Sequence, residues 1–250
     1  MSGHNKWSTI KHRKGAQDAK RGKIFTKVGK EITVAARMGG GDPAGNPRLR
    51  LAVQKARAVS MPMDNVQRAI KRGTGELEGG VIDELVYEAY GPGGVAFIID
   101  IATDNQNRSL AEVRNAMEKS GGKMAKPGAV SFLFARRGMV RYDAEKYTED
   151  QVMEVAIEVG ADDVITESGH IVVYCAQGDF AAVKEGLDAA DLESLAAEVA
   201  MIPSTSVDCD KSLAQKIMKL IDKLEDNDDV QNVWGNHEIS DEVMTEILES

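Results

Sequence analysis

Lysine and arginine are the side chains that neutralise phosphate, and in this chain they crowd at one end. The first eighty residues hold seventeen of them against six Asp and Glu, although the whole chain carries a net charge of −9. The remaining 170 residues reverse the balance, with fourteen bases against thirty-four acids. A cluster of like charges repels itself unless a polyanion offsets it, and nucleic-acid affinity comes largely from such cations releasing counterions. The chemistry indicated is therefore nucleic-acid binding. The candidate residues are Lys6, Trp7, Lys11, His12, Arg13, Lys14, Lys20, Arg21 and Lys23 on a polar N-terminal arm, then Lys27, Lys30 and Arg37, then Arg48, Arg50, Lys55 and Arg57, and last Arg68, Lys71 and Arg72. Trp7 and Phe25 offer rings that can stack on a base or enter a groove, and Trp7 fits packing against the helices equally well.

Patterns that would carry catalysis fail on inspection. Gln17 stands where a phosphate loop ending at Lys23 needs its first glycine, and Ile24 where it needs Ser or Thr. Glu225-Asp226-Asn227-Asp228-Asp229 lacks the glycine of a calcium loop and reads as a helix-to-strand turn. Asp100, Asp104 and Arg108 read as caps and surface ion pairs. His170 and His237 lie near turns with no ligand spacing around them, and no Cys/His cluster fits zinc. No catalytic residue, metal or cofactor is expected, and the chain does not read as an enzyme. Cys175 and Cys209 have no paired spacing, which fits a reducing, cytoplasmic setting. No apolar run approaches ~18 residues, so no membrane partner is expected.

The elements that must position the cations follow from periodicity. A helix is predicted from Thr26, with Val28, Ile32 and Ala35 as its buried stripe and Lys27, Lys30 and Arg37 on the opposite side. Gly39-Gly40-Gly41 ends it, and Asn46-Pro47 marks the N-cap and first residue of a second helix. Leu49, Ala52, Val53 and Ala56 form that helix's apolar face. Pro62 breaks the run, and Asp64 caps a third helix containing Val66, Ala69 and Ile70. Three short amphipathic helices make a small bundle. Residues 74–80 read as a linker.

Beyond the linker the pattern turns to β. Strands Leu85–Tyr90 and Val95–Ile101 flank Gly91-Pro92-Gly93-Gly94, a hairpin signal. A helix over Arg108–Lys119 and a strand over Val130–Phe134 follow. From Gly138 the order is strand, helix, strand, strand, helix, strand, ending about Met201; this is the order of a ferredoxin-like domain. A last helix (Ser212–Leu224) and strand (Val230–Trp234) complete no domain by themselves and are expected to return to residues 82–134. The expected fold class is multi-domain α and α+β. Its parts are a basic all-α domain with its arm at 1–80, a central α+β domain at 81–135 plus 203–240, and a ferredoxin-like βαββαβ domain inserted at 136–202.

Several runs resemble one family. Gly3-His4-Asn5-Lys6-Trp7, His12-Arg13-Lys14, Gln17 to Lys23, Gly39-Gly40-Gly41-Asp42-Pro43 and Asn46-Pro47-Arg48-Leu49-Arg50 resemble the N-terminal part of the YebC/PmpR family. Tyr87 to Gly94 is similar to the family's YEGYGPGG run, with Ala89 replacing the usual Gly, and Asp104 to Arg108 and Met201 to Thr205 also fit. The resemblance spans nearly the whole chain and implies the same three domains. It implies a regulator of gene expression, either a transcriptional regulator on promoter DNA or a translation factor on ribosomal RNA that eases stalls at proline runs. Ribosomal or regulatory proteins are further implied partners. No helix of the bundle arrays Asn, Gln or Arg as a clear base-reading row, so backbone or shape binding is the expected mode.

Overall fold

A computed structural model describes residues 17–167 and 169–249, with side chains from residue 22 onward. The chain forms two compact units. One is described from Gln17 to Leu133 and again from Thr205; the other spans Phe134–Ser204 and interrupts the first in sequence.

The first unit opens with helices α1 (Gln17–Gly39), α2 (Pro47–Ala58) and α3 (Met63–Thr74). The helix expected from Thr26 already runs at Gln17. Val28, Ile32, Ala35 and Ala36 of α1 pack with Leu49, Ala52, Val53 and Ala56 of α2 and with Val66, Ala69 and Ile70 of α3. Burying each large apolar side chain contributes about 1.5–3 kcal/mol. Asn46 fixes the α1–α2 corner. Its Oδ1 accepts from the Leu49 N–H at 3.1 Å, and its Nδ2 donates to the carbonyls of Ala35 (2.8 Å) and Gly40 (2.9 Å). Gly73 lets α3 close on α1, because a Cβ there would lie 2.3 Å from the Thr33 carbonyl oxygen.

The second layer is a sheet of β1 (Asp83–Tyr90), β2 (Ala96–Thr103), β3 (Lys123–Met124) and β9 (Val230–Gly235), in the order β3-β1-β2-β9 and antiparallel throughout. Helices α4 (Gln106–Lys119) and α7 (Lys211–Glu225) bury Val113, Met117, Ile217, Leu220 and Ile221 against Phe97, Ile99 and Ile101. Strand β9 lies beside β2, so the C-terminal segment does return to the hairpin. A parallel pairing of β8 (Val207–Asp208) with β10 (His237–Glu238) and a final helix α8 (Asp241–Leu248) were not foreseen. The strand expected over Val130–Phe134 is absent up to Leu133, and Phe134 opens the next strand instead. Residues 131–133 form a 3-10 turn, and the buried Glu88 carboxylate takes the N–H groups of Gly128, Val130 and Ser131 that a ladder would need.

The second unit runs β4 (Phe134–Asp143), α5 (Glu149–Glu158), β5 (Asp163–Glu167), β6 (His170–Ala176), α6 (Phe180–Ala189) and β7 (Ala196–Pro203). Its strands pair antiparallel in the order β5-β6-β4-β7. Thr148 and Gln151 close a capping box on α5. Val152, Ala156, Phe180, Val183 and Leu187 are the buried positions of its two helices. Among the described residues of the chain, no helix is long and apolar enough to cross a membrane.

His237 gives the first unit a pH dependence. It is 1% exposed, its ring lies 6.2 Å from that of Phe97, and neither ring nitrogen meets a hydrogen-bonding group among the described residues. Burial pushes its pKa down to about 4. A depressed folded-state pKa means stability fully present above the ordinary value of about 6.5 and lost as pH falls through about 4. The loss should reach about 3 kcal/mol, at roughly 1.4 kcal/mol per pKa unit. Urea midpoints taken between pH 7.5 and 4 should fall steeply for the wild type and much less for His237→Phe; parallel curves would show that His237 is not the group responsible.

Candidate nucleic-acid interface

The bundle sorts its cations into those that hold the protein together and those that do not. On α1, Lys23, Lys27 and Lys30 are spaced i, i+4, i+7 and so share one face. All three point at the end of α7. An α-helix leaves its last carbonyls without internal partners and carries partial negative charge there. Lys27 Nζ donates to the Glu225 carbonyl at 2.6 Å, Lys23 to that of Asp226 at 3.0 Å, and Lys30 to that of Asp228 at 2.9 Å. Lys23 also pairs with the Asp226 carboxylate, and Lys30 with that of Asp229. The row caps α7.

Asp229 is the centre of this seam. Its side chain is 5% exposed. Besides Lys30 it takes donors from Ser109 Oγ at 2.6 Å, Arg108 at 2.8 Å and Thr103 Oγ1 at 3.1 Å. Its own N–H is held by Asn227 Oδ1 at 2.8 Å, and its carbonyl accepts from the Ala102 N–H at 2.8 Å. Burial pushes its carboxyl up, but Lys30, Ser109 and Arg108 outweigh burial and hold it well below the usual carboxylate range. Lys30 Nζ additionally reaches the Ala102 carbonyl at 3.1 Å.

The expected binding face of Lys27, Lys30 and Arg37 is thus divided. Lys27 and Lys30 are engaged in the seam, and Arg37 is exposed at the end of α1. Arg48 pairs with Glu84 of β1, Lys55 with Glu31 of α1 at 3.2 Å, and Arg50 reaches the Ala44 carbonyl at 3.5 Å. Arg57, Arg68, Lys71 and Arg72 are exposed, and like Arg37 they have no ion-pair partner among the described residues. Gly73 packs against the Arg37 backbone nitrogen, so the end of α3, with Lys71 and Arg72, meets the end of α1. The described part of the candidate surface is therefore this corner, with Arg37, Lys71 and Arg72, together with Arg68 further back on α3 and Arg57 at the end of α2. Lys6, Trp7, Lys11, His12, Arg13 and Lys14 lie outside the described residues, as do the side chains of Lys20 and Arg21.

Residues singled out as structural behave so. Arg108 pairs with Asp104 at 2.8 Å, and Asp100 accepts from Trp234 Nε1 at 2.9 Å. The acidic run 225–229 is the turn between α7 and β9. Its grip on three lysines was missed, although the i, i+4, i+7 spacing and the acid run were both visible. Among the described residues no three His, Cys, Asp or Glu side chains converge to hold a metal.

N-terminal helices carrying cations, joined to antiparallel α/β layers, define a mixed multi-domain class of protein. Within that class the chain belongs to the TACO1/YebC family. The family's N-terminal domain matches residues 5–76, and its second and third domains match residues 82–237. Similar relatives include a probable transcriptional regulatory protein of Maridesulfovibrio salexigens, 54% identical over 99% of both chains. Another of the same description, from Treponema denticola, is 56% identical over 96% of this chain and 97% of its own. A crystal structure of a conserved hypothetical protein from Aquifex aeolicus is 43% identical and superposes with a TM-score of 0.84, covering 93% of this chain and 96% of that one.

Removing a buried carboxylate strands the cations around it, a loss in the range of about 3–5 kcal/mol when an ion pair is buried. Because Arg108 is partly solvated, Asp229→Ala should cost about 3 kcal/mol in chemical unfolding. Asp226→Ala, at a pair 71% exposed on the acid side, should stay within about 0.5 kcal/mol. Equal effects of the two changes would remove Asp229 from the centre of the seam.

Proposed function

We propose that this chain is a non-enzymatic, cytoplasmic regulator of gene expression that binds nucleic acid, as a transcriptional regulator on promoter DNA, through the corner of its helical layer. One observation carries the reading. In a chain rich in acids, Arg37, Arg57, Arg68, Lys71 and Arg72 stay exposed without ion-pair partners among the described residues, while the lysines facing α7 are all taken. Cations left this way retain their attraction for phosphate. The description of the relatives as probable transcriptional regulatory proteins supports the regulatory role. We further read the layout as three domains: the basic helices to residue 80, the central α+β domain, and residues 136–202 as a ferredoxin-like insertion. The strand order β5-β6-β4-β7 supports the last.

The triple change Arg68→Glu, Lys71→Glu, Arg72→Glu tests the surface. Duplex DNA affinity at about 0.1 M salt should fall at least tenfold, and the log–log salt slope should drop by about three. The fold should survive with a loss of no more than about 1–2 kcal/mol, because none of the three touches the core and the only cost is two glutamates in the last turn of α3. Unchanged affinity would exclude this corner. Crosslinking in cells then distinguishes the target: promoter DNA is the expected capture, and dominance of ribosomal RNA would replace the transcriptional reading with a translational one.

A further inference from the structure

A second group of cations stands apart from the helical layer. Residues 81–250 hold more than twice as many acids as bases, yet from residue 109 to 133 there are three lysines and one arginine against two glutamates. Arg114, Lys119, Lys123 and Lys126 are exposed and have no ion-pair partner among the described residues. One of them, Lys123, lines a cleft of about 530 Å³ together with Tyr90 and the glycines of the β1–β2 and α4–β3 turns. Gly94 and Gly121 have φ of +78° and +81°, and a Cβ on either would meet nothing within 4 Å. The walls there are bare backbone open to a ligand.

Tyr90 links the cleft to a surface loop. Lys123 Nζ sits 6.0 Å from the centre of its ring, and its hydroxyl donates to the Ala129 carbonyl at 3.0 Å. The loop from Lys126 to Phe132 is held from beneath by Glu88, which accepts the N–H groups of Gly128 (2.6 Å), Val130 (2.6 Å) and Ser131 (3.0 Å). Burial pushes the Glu88 carboxyl up, but these donors outweigh burial and keep it below its ordinary value, so it stays charged. Val130 is buried, whereas Phe132 is 74% exposed, the most exposed large apolar side chain described. A buried charge costs solvation energy, and here it fixes a loop whose aromatic ring is left in water.

We propose that this loop and cleft bind single-stranded nucleic acid, with one base stacked on Phe132 and neighbouring phosphates held by Lys123 and Lys126 along the glycine walls. An exposed aromatic ring on a loop anchored from beneath can stack on any unpaired base, since every base has a π-face, while bases within a duplex are already stacked. Backbone without side chains admits a close phosphate, and exposed lysines supply the charge. The site goes beyond the duplex contact of the helical corner and does not depend on it.

The test uses the full chain with a fluorescent 12-nucleotide uridine RNA and a DNA duplex of the same length. Phe132→Ala, and separately Lys123→Ala with Lys126→Ala, should each weaken RNA binding about tenfold and leave duplex binding within twofold. Four-thiouridine in the RNA should crosslink to the peptide containing residues 126–132. Glu88→Gln, which frees the loop but keeps Phe132, should lower that crosslinking yield. RNA binding within twofold of wild type in both loop variants, or crosslinks confined to residues 17–74, would overturn the proposal. So would loss of binding to phosphatidylglycerol vesicles in Phe132→Ala with RNA binding intact, which would assign the ring to a membrane surface. The Arg68→Glu, Lys71→Glu, Arg72→Glu variant separates the two sites: its duplex affinity tests the helical corner, and the loop variants' RNA affinity tests this one.

Discussion

The carboxylate of Asp229 is the constraint on which the first unit depends. It collects donors from α1, from the first turn of α4 and from the end of β2, and its own backbone continues the β2–β9 pairing. A nearly buried charge is tolerable only when every direction offers a donor. That requirement ties α1, the first turn of α4 and the end of β2 to one carboxylate. The same site decides which cations are tied up inside the protein. Lysines at 23, 27 and 30 are consumed in closing α7, and Arg37, Arg57, Arg68 and Arg72 are not.

Much of this fold was legible in the sequence because the helices obey simple rules. Asn46-Pro47 predicted a capped start, and the structure shows Asn46 filling both its donor and acceptor roles. The stripes Val28–Ile32–Ala35 and Leu49–Ala52–Val53–Ala56 predicted one shared core, which is what packs. The incomplete helix and strand after Pro203 predicted a return to the hairpin, and β9 pairs with β2. What could not be read were contacts between residues some two hundred positions apart. Periodicity places a lysine on a face, but it does not say what that face meets.

The errors share a cause. Val130–Phe134 has the composition of a strand, yet its backbone donors go to a glutamate from another strand, and a side chain overrides local preference. Likewise the polar side of α1 was read as a face for phosphate, and what it meets is the end of α7, both its last carbonyls and the carboxylates of Asp226 and Asp229. Glu88 and Asp229 are alike in this. Each is an acid that serves as structural glue, in a chain whose surplus of acids hides which ones are buried.

The seam between α1 and α7 also has a consequence for how the protein is made. Lys23 and Asp226 are separated by 203 positions, and Lys30 and Asp229 by 199. At roughly 5–20 residues per second, synthesis delivers the acidic turn about 10–40 seconds after the lysines. Throughout that interval Lys23, Lys27 and Lys30 lack their partners at the end of α7, next to the ribosome that is making them. The face that ends as internal structure thus begins as an open one, and the arrival of residues 225–229 is the event that closes it.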